Sequence, residues 1–114
     1  MNAVVNSVRL LGNIGKDPVI REFSNGGKVA NFTLATPHIS KDKDGNRVEE
    51  TDWHNLVIRG KMAEVVEKYL SKGSQIAVEG ALRSRKYQDS EGTDKYITEV
   101  IVNDLQMLGG KKDK

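Results

Sequence analysis

The residues with most chemistry to offer are aromatic rings and cations on alternate positions. From Ala77 the odd-numbered row reads Ala77, Glu79, Ala81, Arg83, Arg85, Tyr87, and Lys86 adds a third cation with no acid between Arg83 and Lys86. Trp53, Asn55 and Arg59 share a second such row, and Tyr96 follows Tyr87 across a polar turn. A turn centred between Glu91 and Gly92 would set Tyr87 opposite Tyr96 on one face. Flat rings beside guanidinium groups suit a chain of unpaired bases. Each base stacks for about 1–3 kcal/mol while Arg and Lys hold the phosphates. Such stacking is indifferent to base identity, and a duplex hides the base faces it needs.

Other chemistry has little support. The chain has two histidines and no cysteine, and Asp52 beside His54 forms no recognisable metal set or nucleophile system. No metal or organic cofactor is expected. Gly12-Asn13-Ile14-Gly15 and Gly109-Gly110 lack the spacing and the Lys-Ser or Lys-Thr ending of a phosphate-cradling loop. An enzyme is therefore not expected.

Each candidate also has a structural reading. Trp53 could fill a gap in a small core, Tyr87 and Tyr96 could be a cross-strand pair, and Arg83, Arg85 and Lys86 could be a solvated edge. Tyr69 falls on a helical apolar stripe and reads as core. His54 shares parity with Leu56 and Ile58 and reads as a packed or interfacial histidine, while His38 lies in a polar loop where it meets a phosphate or nothing.

The elements that must position these residues follow from periodicity. Residues 3–12 read as a strand with both faces partly covered, interrupted by Gly12, Asn13 and Gly15. A short extended piece, 19–23, leads into Ser24-Asn25-Gly26-Gly27, a strong hairpin signal because Asn-Gly supplies the positive φ of a tight primed turn. The returning strand, 28–36, sets Ala30, Phe32 and Leu34 against Val29, Asn31 and Thr33. Residues 38–50 are polar and read as a projecting loop or loose hairpin. A third strand spans about 51–59. Met62, Val65, Val66, Tyr69 and Leu70 then recur at helical spacing, closed by Lys72-Gly73. A fourth strand runs from 74 to about 86, with Gly80 marking a bulge or sharp coiling. Residues 89–93 form a turn and 95–108 a fifth strand.

Composition agrees with a sheet. Val, Ile and Thr supply 24 of the 114 residues, which favours strands over helices. The net charge of +2 resides entirely in Lys111-Lys112-Asp113-Lys114, so only a local cluster of cations could argue for a polyanionic ligand. No apolar run approaches the ~20 residues of a membrane span and no signal-peptide core opens the chain, so a soluble cytoplasmic protein is expected.

Three strands, one helix and two strands point to an all-β five-stranded barrel of the oligonucleotide/oligosaccharide-binding (OB) type, its short helix between strands three and four. An antiparallel sheet with one covering helix is the alternative. One domain, 1–110, is expected, with 111–114 as a short disordered lysine-rich tail.

Several segments resemble bacterial single-stranded DNA-binding proteins. They include Asn6 to Pro18, Asn25-Gly26-Gly27, Ala30-Asn31-Phe32-Thr33-Leu34-Ala35-Thr36, Thr51-Asp52-Trp53-His54 and Gly60-Lys61-Met62-Ala63-Glu64. Tyr69-Leu70-Ser71-Lys72-Gly73-Ser74, Val78-Glu79-Gly80 and Leu82-Arg83-Ser84-Arg85-Lys86-Tyr87 continue the match in order, over about residues 3–110. The resemblance implies an OB-fold that assembles as a homotetramer through its sheets and amino-terminal strands. It also implies single-stranded DNA wrapped on the assembly during replication, recombination and repair, at the bacterial nucleoid. Trp53 aligns with a base-stacking tryptophan, Tyr87 with a stacking aromatic that is usually tryptophan, and Tyr96 flanks the DNA path. His54 aligns with an assembly position, joined by Val4, Asn6 and Val8 of the first strand. The cations expected on the DNA backbone are Arg59, Arg83, Arg85 and Lys86, with Arg9 and Arg21 as weaker candidates.

This sequence departs from that pattern in three places. An aromatic near Ser40 and a phenylalanine at the position of Arg59 are both missing, so ion pairing should matter more relative to stacking. The sequence also stops at Lys114 without the acidic tip that docks replication and repair proteins, so either it is truncated or that docking is absent or achieved otherwise. The rival readings are an RNA-binding OB module and an assembly subunit that binds no nucleic acid.

Overall fold

The computed structural model describes residues 5–108. Val4, the Gly109-Gly110 pair and the lysine-rich tail lie outside the described residues. The elements in chain order are β1 (Val8–Ile14), β2 (Val19–Glu22), β3 (Lys28–Lys41), β4 (Arg47–Arg59), α1 (Lys61–Tyr69), β5 (Gln75–Gln88) and β6 (Asp94–Met107).

The sheet order is β1-β5-β6-β4-β3-β2, and β1 also pairs with β3 through Asn13↔Ala35 and Ile14↔Leu34. That second pairing closes β1, β5, β6, β4 and β3 into a five-stranded barrel, leaving β2 as an extra edge strand on β3. The β4–β6 contact is parallel and short, from Asn55↔Glu99 to Val57↔Ile101. The barrel strands, numbered along the chain, close in the order 1-2-3-5-4, which is the OB arrangement. With β2 set aside as the extra strand, α1 falls between the third and fourth barrel strands, where the sequence suggested it.

Alternation explains the core. Ala30, Phe32 and Leu34 of β3 meet Ile58, Leu56 and His54 of β4 rung by rung, and all but His54 are buried. Ile14, Ile76, Val78, Val100 and Val102 complete the interior, and Ala63 and Val66 of α1, with Leu70 just after it, plug one end. Gly60 starts the helix with φ 73° and binds back to β3 through its amide on the Lys28 carbonyl at 3.0 Å. Glu64 in the first turn and Lys68 in the last suit the helix dipole.

Four expectations change. β1 begins at Val8 and continues through Gly12 and Asn13 to Ile14. Gly12 does not end the strand; it lets the strand cross β3, since a Cβ there would collide with the Ala35 carbonyl. Residues 38–50 form the hairpin of the two readings rather than the projecting loop, and its strands are longer than expected: β3 and β4 extend to Lys41 and from Arg47 around a turn held by Asp42 Oδ1, which accepts from the Asp44 and Asn46 amides at 2.9 Å each. Side chains there are exposed on both faces, so no burial pattern announced the strands. Tyr69 is 65% exposed rather than core, because Leu70 takes the buried position at the end of α1. The fifth strand starts one residue early, at Asp94. Gly80 does mark a bulge, with the β5–β6 register shifting between Glu79 and Gly80.

Candidate nucleic-acid interface

The outward-facing residues of β2, β3, β4, β6 and β5 line up in continuous rungs. Thr33, Asn55, Glu99 and Arg83 form one, and Val19, Asn31, Val57, Ile101 and Ala81 form the next. Arg21, Val29 and Arg59 form a third on β2, β3 and β4. A groove of about 760 Å³ runs over these rungs and is lined by Arg21, Arg59, Arg83 and Arg85 together with Phe23 and Glu99. A smaller hollow of about 300 Å³ shares Asn31, Arg85 and Glu99 and carries the surface on to Thr33 and Ile97.

Trp53 lies one rung further along β4, opposite Ala35, and is 60% exposed. It is not a core plug. Its ring is seated over Gly15, where a Cβ would collide with Cζ3 of the indole. Tyr87, 40% exposed, shares the face of Arg83 and Arg85 on β5. The rings of Trp53 and Tyr87, with Phe23 in the groove, and four guanidinium groups thus occupy one side of the molecule.

The cations are not equivalent. Arg21, Arg59 and Arg83 have no ion pair among the described residues. Arg85 is engaged by Glu99 of the neighbouring strand in a two-point pair, Nε to Oε1 at 3.1 Å and Nη2 to Oε2 at 3.3 Å. That hydrogen bond, and then the charge of Glu99, push the Arg85 guanidinium pKa further up. Glu99 is 7% exposed. No acid lies between Arg83 and Lys86 in sequence, but the fold supplies one from β6.

Three expected site residues lie elsewhere. Tyr96 pairs with Lys86 and Tyr87 with Lys95, so Tyr96 and Lys86 face away from Arg83, Arg85 and Tyr87. The turn is centred on Glu91, not between Glu91 and Gly92, and a shift of one residue on one strand reverses the face of every side chain on it. Lys86 also pairs with Asp94 at 3.5 Å. Arg9 lines a separate hollow with Leu11 and Glu79, and its guanidinium sits 3.5 Å from the Glu79 carboxylate. Arg21, ranked with Arg9 by sequence, is instead in the groove.

The residues associated with assembly have contacts inside the subunit. The Asn6 amide donates to the Leu82 carbonyl at 3.0 Å and accepts from the Leu82 amide at 2.9 Å. Val8 packs on the core. His54 is half-buried, with Nε2 2.9 Å from the Thr36 hydroxyl.

Sequence reasoning missed Phe23 and Glu99. Phe23 keeps the parity of Arg21 just before the Asn-Gly hairpin, a signal that was legible. Glu99 reaches the groove only through the β4–β6–β5 pairing. Among the described residues no cluster of His, Asp or Glu could hold a metal ion, and no helix is long and apolar enough to cross a membrane.

Comparison with known proteins agrees with this geometry. The model of the single-strand binding protein family matches residues 5–108. A solved structure described as the Plasmodium falciparum SSB complex with ssDNA is 34% identical, with a TM-score of 0.84 over 91% of this chain and 95% of that one. The fold, the exposed rings and the match over nearly its whole length place this chain in the single-strand binding protein family, whose members bind DNA and are not enzymes.

Proposed function

We propose that this protein binds single-stranded DNA without sequence preference and shields it during replication, recombination and repair at the bacterial nucleoid. The observation that carries the reading is the shared face of Trp53, Tyr87 and the arginines at 21, 59, 83 and 85. Binding proceeds by electrostatic capture and then stacking. The arginines displace counterions from phosphate, so affinity falls by about 0.7 log unit per log unit of salt for each phosphate neutralised. The rings then receive bases. Lys86 and Tyr96, on the other side of the β5–β6 arm, meet DNA only where a strand passes around that arm.

Assembly as a homotetramer belongs to the same reading. It is supported by apolar side chains that the single subunit leaves in solvent, including Val5, Leu11 and Leu82. His54 contributes beside its Thr36 contact, Asn6 and Val8 through the segment entering β1 that the Asn6–Leu82 hydrogen bonds hold, and Val4 by the family resemblance. Replication and repair proteins are the partners expected to meet the DNA-bound assembly.

Trp53 is the sole tryptophan, so its emission reports the proposed contact directly. Titration with oligo-dT at two salt concentrations should quench it, with weaker binding at higher salt, beside a mass measurement that reads four subunits. An equal-length rU oligomer that binds more tightly than dT would shift the reading to RNA. A salt-insensitive absence of binding to either would leave an assembly module.

A further inference from the structure

Phe23 is the large apolar side chain of the groove that packing does not explain. It lies outside the buried core cluster and is 48% exposed, although a buried phenylalanine would remove roughly 150–250 Å² from water. The backbone that carries it is nonetheless fixed. The Phe23 amide donates to the Gly27 carbonyl at 2.8 Å and the Gly26 amide to the Phe23 carbonyl at 2.9 Å. The Gly27 amide also donates to Asn25 Oδ1 at 2.9 Å, and Gly26 takes φ 90°. This tight hairpin presents the ring one rung beyond Arg21, Val29 and Arg59, on the groove that those residues line.

We propose that the Phe23 ring is a base-stacking platform at the far end of the groove from Trp53, so that one single strand runs between two aromatic stops over the arginines. The assignment rests on the single-stranded DNA reading above and adds a contact that it does not require. Charge decides the occupant. An apolar protein segment would have to desolvate Arg21 and Arg59 beside the ring, whereas a nucleotide offers a flat base for Phe23 and a phosphate for the guanidinium groups. Because the hairpin is hydrogen-bonded before ligand arrives, the backbone under the ring needs no ordering on binding. Trp53 stands opposite Ala35 and Phe23 beside Gly27, eight residues apart along β3, or about 26 Å. That span suits a site of about 4–16 nucleotides for one OB barrel.

Phe23→Ala should weaken binding of a long oligo-dT by roughly 5- to 100-fold while the slope of affinity against salt stays that of the parent, because the substitution removes no charge. In a Trp53→Phe background, F23W should retain binding and show emission quenched by dT. Far-UV circular dichroism and thermal unfolding check that the hairpin survives, and F23W decides the matter if Phe23→Ala does not fold. Parent-like affinity of a folded Phe23→Ala, or emission of F23W that saturating dT leaves unchanged, overturns the assignment. If the parent binds dT and Trp53→Ala weakens it while Phe23→Ala does not, only the Phe23 contact fails. A parent that binds no dT removes the single-stranded DNA reading, and this contact with it.

Discussion

The indole of Trp53 rests on Gly15, the one residue type that leaves room for it. A Cβ at position 15 would collide with Cζ3 of the ring and lie 2.8 Å from the Thr33 hydroxyl, an oxygen that is buried without a hydrogen-bond partner. The loop after β1 therefore sets where the exposed ring on β4 lies.

Trp53→Ala should cost about 1–3 kcal/mol of oligo-dT binding, read by fluorescence anisotropy with a labelled oligomer. Gly15→Ala should lose part of the same energy by lifting the indole from its seat. Because that ring is largely in solvent, melting temperature should change little in either variant. Gly15→Ala with parent affinity would show that the seat has no bearing on binding.

Arg59→Gln and Arg83→Gln should each flatten the dependence of log affinity on log salt by about 0.7, the signature of one fewer phosphate neutralised on single-stranded DNA. Arg9→Gln should leave that slope as it is, because Arg9 lies in another hollow beside Glu79. Equal slopes for all three variants would dissolve the distinction between groove and outlying cations.

Tyr87 and Tyr96 separate in the same assay. Tyr87→Ala should weaken binding of short oligo-dT by about 1 kcal/mol or more, and Tyr96→Ala should leave short oligomers unaffected because its ring faces away from the arginines. A matching loss in both variants would mean that the strand wraps the β5–β6 arm even at short length.

Glu99 is the acid that lines the groove among its arginines. Glu99→Gln should raise dT affinity and steepen the salt dependence, since Arg85 is released from its two-point pair and the groove gains one net positive charge. Isothermal titration at low and moderate salt reads both effects. Weaker binding would instead make Glu99 the support that aims Arg85 at the strand.

Much was legible in the chain before folding. The alternation of Ala30, Phe32 and Leu34 identified a core strand, Asn25-Gly26 its hairpin, Gly80 the bulge, and Met62, Val66 and Leu70 the helix. Local rules suffice there because each depends on neighbours within a few residues: strand parity, a positive-φ turn, a helical repeat. The row containing Trp53 and Arg59, and the row containing Arg83, Arg85 and Tyr87, followed from the same parity.

Tertiary structure decided what parity alone leaves open, namely which rows share a surface. A turn centred a fraction of a rung from its expected place set Tyr96 opposite Lys86, on the other side from Tyr87. The edge strand β2 carried Arg21 and Phe23 into the groove, and the parallel β4–β6 contact brought Glu99 against Arg85. The first two outcomes depend on turn length, which fixes hairpin register and which residue parity does not report, and the third on a pairing between segments distant in sequence that burial and closure of the whole barrel set.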